Sequence, residues 1–194
     1  GTSIETALNH YGNTSFRSSG IKDKLLCALN SYPKLFSEDF PAHIQACQLK
    51  EQIPGNVFNN YFRFGFVRNP WDWQVSLYTF MLKEVGHHQH QLIKSFKNFD
   101  EYIEWRVNKD LHLQKDFFYD KNGKCLMNFI GKFETLENDM NYIFKRFSIN
   151  SGLPHLNKSR ETPDYKQFYS PHSAKLVEEA FKEDIITFGY GSFQ

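Results

Sequence analysis

Phe64-Gly65-Phe66-Val67-Arg68-Asn69-Pro70-Trp71-Asp72-Trp73-Gln74-Val75-Ser76-Leu77-Tyr78 changes character at Arg68. The run Tyr61 to Val67 is rich in aromatic and branched residues, a pattern that predicts a strand buried on both faces of a mostly parallel sheet. Asn69 and Pro70 then signal a helix start. Asparagine is a favoured N-cap, and proline suits the first helical position, where its missing N–H has no partner to lose. From there Trp71, Val75, Tyr78 and Leu82 fall at helical spacing on one face, so Trp71 is expected in the core, although Trp71 and Trp73 are also the residues able to stack on a purine ring. Arg68 accordingly ends a central strand, where open α/β sheets bind ligands.

Ser76 lies about two turns beyond the cap, roughly 9–10 Å along the axis. An anion touching both Arg68 and Ser76 must therefore lie beside the helix. Arginine offers a planar fork for phosphate oxygens and serine adds a hydroxyl donor. Pro70 removes one amide from the helix tip, which fits an anion beside the helix better than one on its end.

The sequence Val67-Arg68-Asn69-Pro70-Trp71-Asp72 followed by Val75-Ser76-Leu77-Tyr78 resembles the 3′-phosphate-binding motif of sulfotransferases, particularly the group containing the carbohydrate sulfotransferases. Gly1-Thr2-Ser3-Ile4-Glu5, the segment around His43, and Leu153-Pro154-His155-Leu156-Asn157-Lys158-Ser159 are similar to the same family. The resemblance implies a P-loop-type three-layer α/β sandwich with a small, mostly parallel central sheet flanked by helices. It also implies 3′-phosphoadenosine 5′-phosphosulfate (PAPS) as sulfuryl donor, with no metal. By resemblance, Arg68 and Ser76 hold its 3′-phosphate, Gly1, Thr2 and Ser3 belong to the loop around its 5′-phosphosulfate, and Lys158, Ser159 and Arg160 add polar and cationic groups. That loop opens with a lysine after the family's first strand. Here the sequence starts at Gly1, so the expectation is a chain that begins inside the loop, its first strand and lysine lying outside it.

Sulfuryl transfer builds charge on the leaving phosphate oxygen and needs a base for the acceptor proton. His43 is the candidate base, with Glu38 and Asp39 as nearby substitutes, and a purely structural histidine is the competing reading. The acceptor is expected to bear a hydroxyl, with sugars favoured by the family subgroup. Two other functions stay open: a non-catalytic module binding 3′-phosphorylated nucleotides, and a P-loop kinase-like phosphotransferase. The second is weakened because no full Gly-x-x-x-x-Gly-Lys-Ser/Thr loop occurs.

Composition agrees with one domain over residues 1–194: 40% hydrophobic and 17% aromatic residues, 20 of them phenylalanine, suffice for a sizeable core. The net charge of +1 gives no global affinity for nucleic acid, so anion binding must come from local placement. Cys27, Cys47 and Cys125 suit reduced core thiols rather than a disulfide framework, which favours a cytoplasmic setting. No apolar run in the sequence is long enough to span a bilayer.

Further along, Gly86 to Lys97 reads as a polar surface excursion. Its His87-His88-Gln89-His90 cluster lacks the partners of a metal site and reads as solvated loop. Phe99 to Val107 has a helical face of Phe99, Tyr102, Ile103 and Arg106. After an Asn122-Gly123 turn, Cys125 to Phe133 is expected to be a second buried strand. Glu134 reads as a structural partner at that strand's end. Leu136, Met140, Ile143, Phe144 and Phe147 then mark a helix, Ser151 to Ser170 a long loop, and Pro171 to Phe181 a last helix.

Overall fold

In the computed structural model, residues 43–149 and 164–193 are described. Their order is α1 (Ala46–Gln52), α2 (Gly55–Asn60), β1 (Phe64–Val67), α3 (Pro70–Lys83), α4 (His90–Ser95), α5 (Phe99–Lys109), β2 (Phe129–Lys132), α6 (Leu136–Arg146), α7 (Pro171–Ala180) and α8 (Lys182–Thr187). Short 3₁₀ turns cover Lys115–Phe117, Phe133–Thr135 and Tyr165–Phe168. The fold is α/β, mostly helical, with a small parallel sheet in which Phe64 faces Phe129 and Val67 faces Lys132. Parallel strands require a crossover, and α3, α4 and α5 supply it.

Both strands are shorter than their apolar runs suggest. Arg63 turns its guanidinium back onto the carbonyls of Leu126 (2.6 Å), Tyr61 (3.1 Å) and Phe58, so the first part of the Tyr61–Val67 run is a junction. Cys125 is drawn away from β1 by an antiparallel bridge to Tyr119, and Leu126 N–H donates to the Phe118 carbonyl at 2.8 Å. Burial on both faces is likewise confined to the end of β1: Val67 is buried, whereas Phe64, Gly65 and Phe66 are half-buried. Among the described residues, β1 pairs with β2 alone.

The main core forms where α3, α5 and α7 meet, from Trp71, Val75, Met81, Ile93, Phe99, Tyr102, Ile103, Val177 and Phe181. Trp71 is 1% exposed; its indole N–H donates to the Ala174 carbonyl at 3.0 Å, and its own carbonyl accepts from Tyr169 Oη at 2.9 Å. A second cluster sets Met140, Ile143 and Phe144 of α6 against the phenylalanines of both strands. Gly131 in β2 permits this approach, since a Cβ there would collide with the Phe66 ring and stand 3.1 Å from Asp139. Phe147 follows α6 as an exposed ring packed edge-on against Phe62.

The Gly86 to Lys97 segment differs from a solvated excursion. His90 opens α4, is 6% exposed and places Nδ1 2.9 Å from the Met81 carbonyl, while Ile93 is fully buried. A six-residue helix that follows the polar stretch His87-His88-Gln89 gives little periodicity, yet two side chains, His90 and Ile93, suffice to seat it on α3. The Asn122-Gly123 turn forms as expected, with Gly123 at φ 75° and Asp120 Oδ1 accepting from the N–H groups of Asn122 and Lys124. Cys47 and Cys125 are half-buried free thiols, and Cys27 lies outside the described residues. Among the described residues, no helix is long and apolar enough to cross a membrane.

Trp71 anchors α3 against α7 through both area and its hydrogen bond. Trp71→Ala is expected to lower unfolding free energy by about 3–5 kcal/mol, read from urea unfolding; a loss below about 1 kcal/mol would mean that the helices are held elsewhere.

Candidate active site

Arg68 is the first residue past the β1 ladder, where neither strand nor helix satisfies its peptide groups. One side chain does so for both: Gln114 Oε1 accepts from Arg68 N–H at 2.8 Å, and Gln114 Nε2 donates to the Arg68 carbonyl at 2.8 Å. Gln114 is itself fixed by Asp184, whose two carboxylate oxygens accept from the backbone N–H groups of Gln114 and Lys115, each at 2.8 Å. Asp184 is fully buried, and burial pushes its carboxyl above the usual carboxylate range, against those two N–H groups, which favour the ionised form.

The Arg68 side chain lies along the start of α3. Its Nε is paired with Asp72 Oδ2, the two side chains being 14% and 9% exposed, and its Cζ sits 4.3 Å from the centre of the Phe133 ring. A pair at i and i+4 with the ring on one face holds the guanidinium plane. The terminal Nη1 and Nη2 nitrogens make no hydrogen bond with any described residue, so the charge-bearing end of the fork keeps its donors.

Accounting for the amides of the α3 tip shows where an anion can sit. Asn69 Oδ1 accepts from Trp71 N–H (3.0 Å) and Asp72 N–H (3.3 Å), Trp73 N–H donates to the Asn69 carbonyl (2.8 Å), and Pro70 has none to offer. The last, Asn69 N–H, is taken by Glu134 Oε1 at 2.5 Å. Glu134 is therefore the strand-end structural partner expected, and its other oxygen accepts from Tyr190 Oη at 3.1 Å. With the tip satisfied from within, a bound anion has the side of the helix left to it.

Ser76 is on that side. It stands four residues beyond Asp72, hence on the same helix face and about 6 Å further along the axis. It is half-buried, and its hydroxyl has no partner among the described residues. Arg68, Asp72 and Ser76 thus share one stripe. Lys132, opposite Val67 at the end of β2, brings a second cation to the same end of the sheet, with Nζ 3.3 Å from the Gly189 carbonyl and 4.5 Å from the centre of the Tyr190 ring.

His43 occupies an exposed turn three residues ahead of α1, rather than a helix start, and holds φ 68°, a left-handed backbone uncommon outside glycine. It makes no hydrogen bond or ion pair with a described residue. Two cavities meet at it. One, about 590 Å³, is lined chiefly by aromatic and apolar side chains including Phe64, Phe118 and Met127. The other, about 460 Å³, is more polar, with Gln45, Gln48, Gln89, His112 and Arg106. Trp73 lines both, so it faces open space while Trp71 is core. Arg68 and Ser76 line neither cavity, whereas Gln114, which bonds the Arg68 backbone, lines the first. Gly1, Thr2, Ser3, Glu38, Asp39, Lys158, Ser159 and Arg160 lie outside the described residues.

The model of the sulfotransferase family matches residues 19–191, most of the chain. The chain belongs to the sulfotransferase family. No curated protein and no solved structure gives a match. The matched span of this sulfotransferase contains β1, α3, Gln114, β2 and Asp184, and begins after Gly1, Thr2 and Ser3. Sulfuryl transfer is the chemistry of the family, and the α/β frame around the parallel pair is consistent with its P-loop-like fold.

Sequence reasoning singled out neither Gln114 nor Asp184 nor Lys132. Gln114 lies 46 residues from Arg68, and Asp184 70 from Gln114, so no spacing rule links them. The Asn69 cap, by contrast, is local and separable. Asn69→Ala is expected to lose about 1 kcal/mol of stability, with Asn69→Ser recovering most of it in the same denaturant titration.

Proposed function

We propose that this sulfotransferase uses PAPS as donor, with Arg68 and Ser76 holding the 3′-phosphate. The supporting observation is the side-on stripe: a guanidinium fixed through Nε whose two Nη groups have no hydrogen-bond partner among the described residues, on the helix face that carries a serine hydroxyl likewise without one among them, beside a tip whose amides are satisfied. Two Nη groups suit two oxygens of one phosphate, and Ser76 suits a third. Adenosine nucleotides lacking the 3′-phosphate have nothing to offer these donors. Lys158, Ser159 and Arg160, with Gly1, Thr2 and Ser3 on the 5′ side, are the groups that the family likeness adds to this site.

His43 is proposed as the base. It accepts the acceptor hydroxyl's proton as the new S–O bond forms and the bond from sulfur to the donor's phosphate oxygen breaks, leaving the 3′,5′-bisphosphate with the electron pair. A sugar hydroxyl is the acceptor that the surroundings favour. The polar cavity beside His43 offers glutamine and histidine side chains for hydroxyl groups and the Trp73 ring for an apolar sugar face, at a size that suits a small ligand.

Titration calorimetry without metal is expected to show tighter binding of 3′-phosphoadenosine 5′-phosphate than of adenosine 5′-phosphate. Arg68→Ala should remove about 1.5–3 kcal/mol from the first and little from the second; equal affinities in the native protein would overturn the site. His43→Ala should leave bisphosphate affinity unchanged and lower turnover of a sugar acceptor by about 10²–10⁴-fold. Loss of nucleotide binding in that variant would instead make His43 a structural residue.

A further inference from the structure

We infer that Gln114, locked in place by Asp184, is the positioning residue that gives Arg68 its grip on the donor's 3′-phosphate. This rests on the Arg68 reading above and adds the element that reading lacks: what aims the arginine. Between the end of β1 and the start of α3 lie only Arg68 and the cap residue Asn69, and the φ and ψ of Arg68 decide where its side chain starts. The Gln114 amide spans that residue, accepting from its N–H and donating to its carbonyl, both at 2.8 Å, as a neighbouring strand would. The bonds cross 46 residues and come from a side chain only 7% exposed.

A long glutamine side chain is a poor clamp when its own backbone moves, and here the backbone is held. Asp184 is 0% exposed and places one oxygen on Gln114 N–H and the other on Lys115 N–H. Its neighbour Glu183 pairs with Lys115 Nζ at 2.8 Å, tying the same α8 turn to the same segment from the solvent side. The order of dependence runs from α8 through Asp184 to Gln114, and from Gln114 to the backbone of Arg68. The Gln114 side chain bonds the backbone of Arg68 and makes no hydrogen bond with its guanidinium or with Asp72, so it acts on the phosphate by setting Arg68's origin. Fixing a binding group in advance removes an ordering cost at the moment of binding.

The prediction is selective. A residue that served stability alone would, when changed, lower the folded fraction and weaken every nucleotide alike. A residue that aims Arg68 weakens the bisphosphate and spares the monophosphate. The experiment compares calorimetric affinities of 3′-phosphoadenosine 5′-phosphate and adenosine 5′-phosphate for the native chain, Gln114→Leu, Gln114→Glu, Asp184→Asn and Arg68→Ala. Gln114→Leu, similar in size but unable to bond either group, should reduce the bisphosphate to monophosphate preference on the order of ten- to a hundredfold, the scale of an ångström-level misplacement. Asp184→Asn, which keeps one acceptor oxygen, should reduce it less and in the same direction. If Gln114→Leu does not fold, Gln114→Glu carries the test, because it keeps the acceptor for Arg68 N–H and loses the donor to the carbonyl, and it too should reduce the preference.

An unchanged preference in the folded Gln114 variant, with Arg68→Ala abolishing it, overturns the positioning role and leaves the Arg68 site standing. No preference in the native chain, or none lost in Arg68→Ala, overturns the site and this inference with it.

Discussion

The passage from β1 into α3 leaves peptide groups that neither the ladder nor the helix can satisfy, and the way those groups are satisfied organises this end of the molecule. Arg68 N–H and C=O go to Gln114, Asn69 N–H to Glu134, and the next amides to the Asn69 side chain. Arg68 and Asn69 are half-buried, so a peptide group left without a partner there costs part of the about 1–3 kcal/mol of a fully buried one, and the junction favours distant segments arriving together. The segment that carries Gln114 must lie against β1, the end of β2 must bring Glu134 to the helix tip, and α8 must place Asp184 under both. Two strands of four residues could not hold such an arrangement by ladder bonds alone.

The same accounting separates two ways of binding an anion. A helix tip with open amides offers dipole and N–H groups together. Here Pro70 removes one donor, Asn69 takes two, and the carboxylate of Glu134 takes the last, which puts a resident negative charge at the tip. The cation stands instead at the side, its Nε spent on Asp72 and its plane covered by Phe133. Tyr190, with its hydroxyl pushed above its ordinary range by burial and by the neighbouring Glu134, stays a neutral donor to that carboxylate.

How much of this was legible follows from distance along the chain. Asn69 as cap, Pro70 at the first helical position and Trp71 in the core all depend on neighbours within a turn, and the sequence carries that information. The extents of the strands did not follow, because Arg63 and Tyr119 compete for the flanks of two apolar runs whose composition fits a ladder or a bridge equally well. Helix α4 was hidden by polar composition; His90 in the core is a contact with Met81, visible only once α3 and α4 are folded together. Gln114 and Asp184 were hidden more completely. A glutamine between Leu113 and Lys115, and an aspartate before Ile185, look like ordinary boundary and surface residues, and their roles arise from pairings across 46 and 70 positions. The strand-to-helix turn at Arg68 was readable locally; the Gln114 and Asp184 bonds that hold its backbone were not.

The central claim is that the donor's 3′-phosphate lies on the flank of α3, between the open end of the Arg68 fork and Ser76. A crystal structure with 3′-phosphoadenosine 5′-phosphate tests it most directly. The account predicts that the 3′-phosphate accepts from Arg68 Nη1 or Nη2 and from Ser76 Oγ, with Glu134 still on Asn69 N–H. A 3′-phosphate seated on the α3 tip in place of the Glu134 carboxylate, or bound away from Arg68, would contradict it.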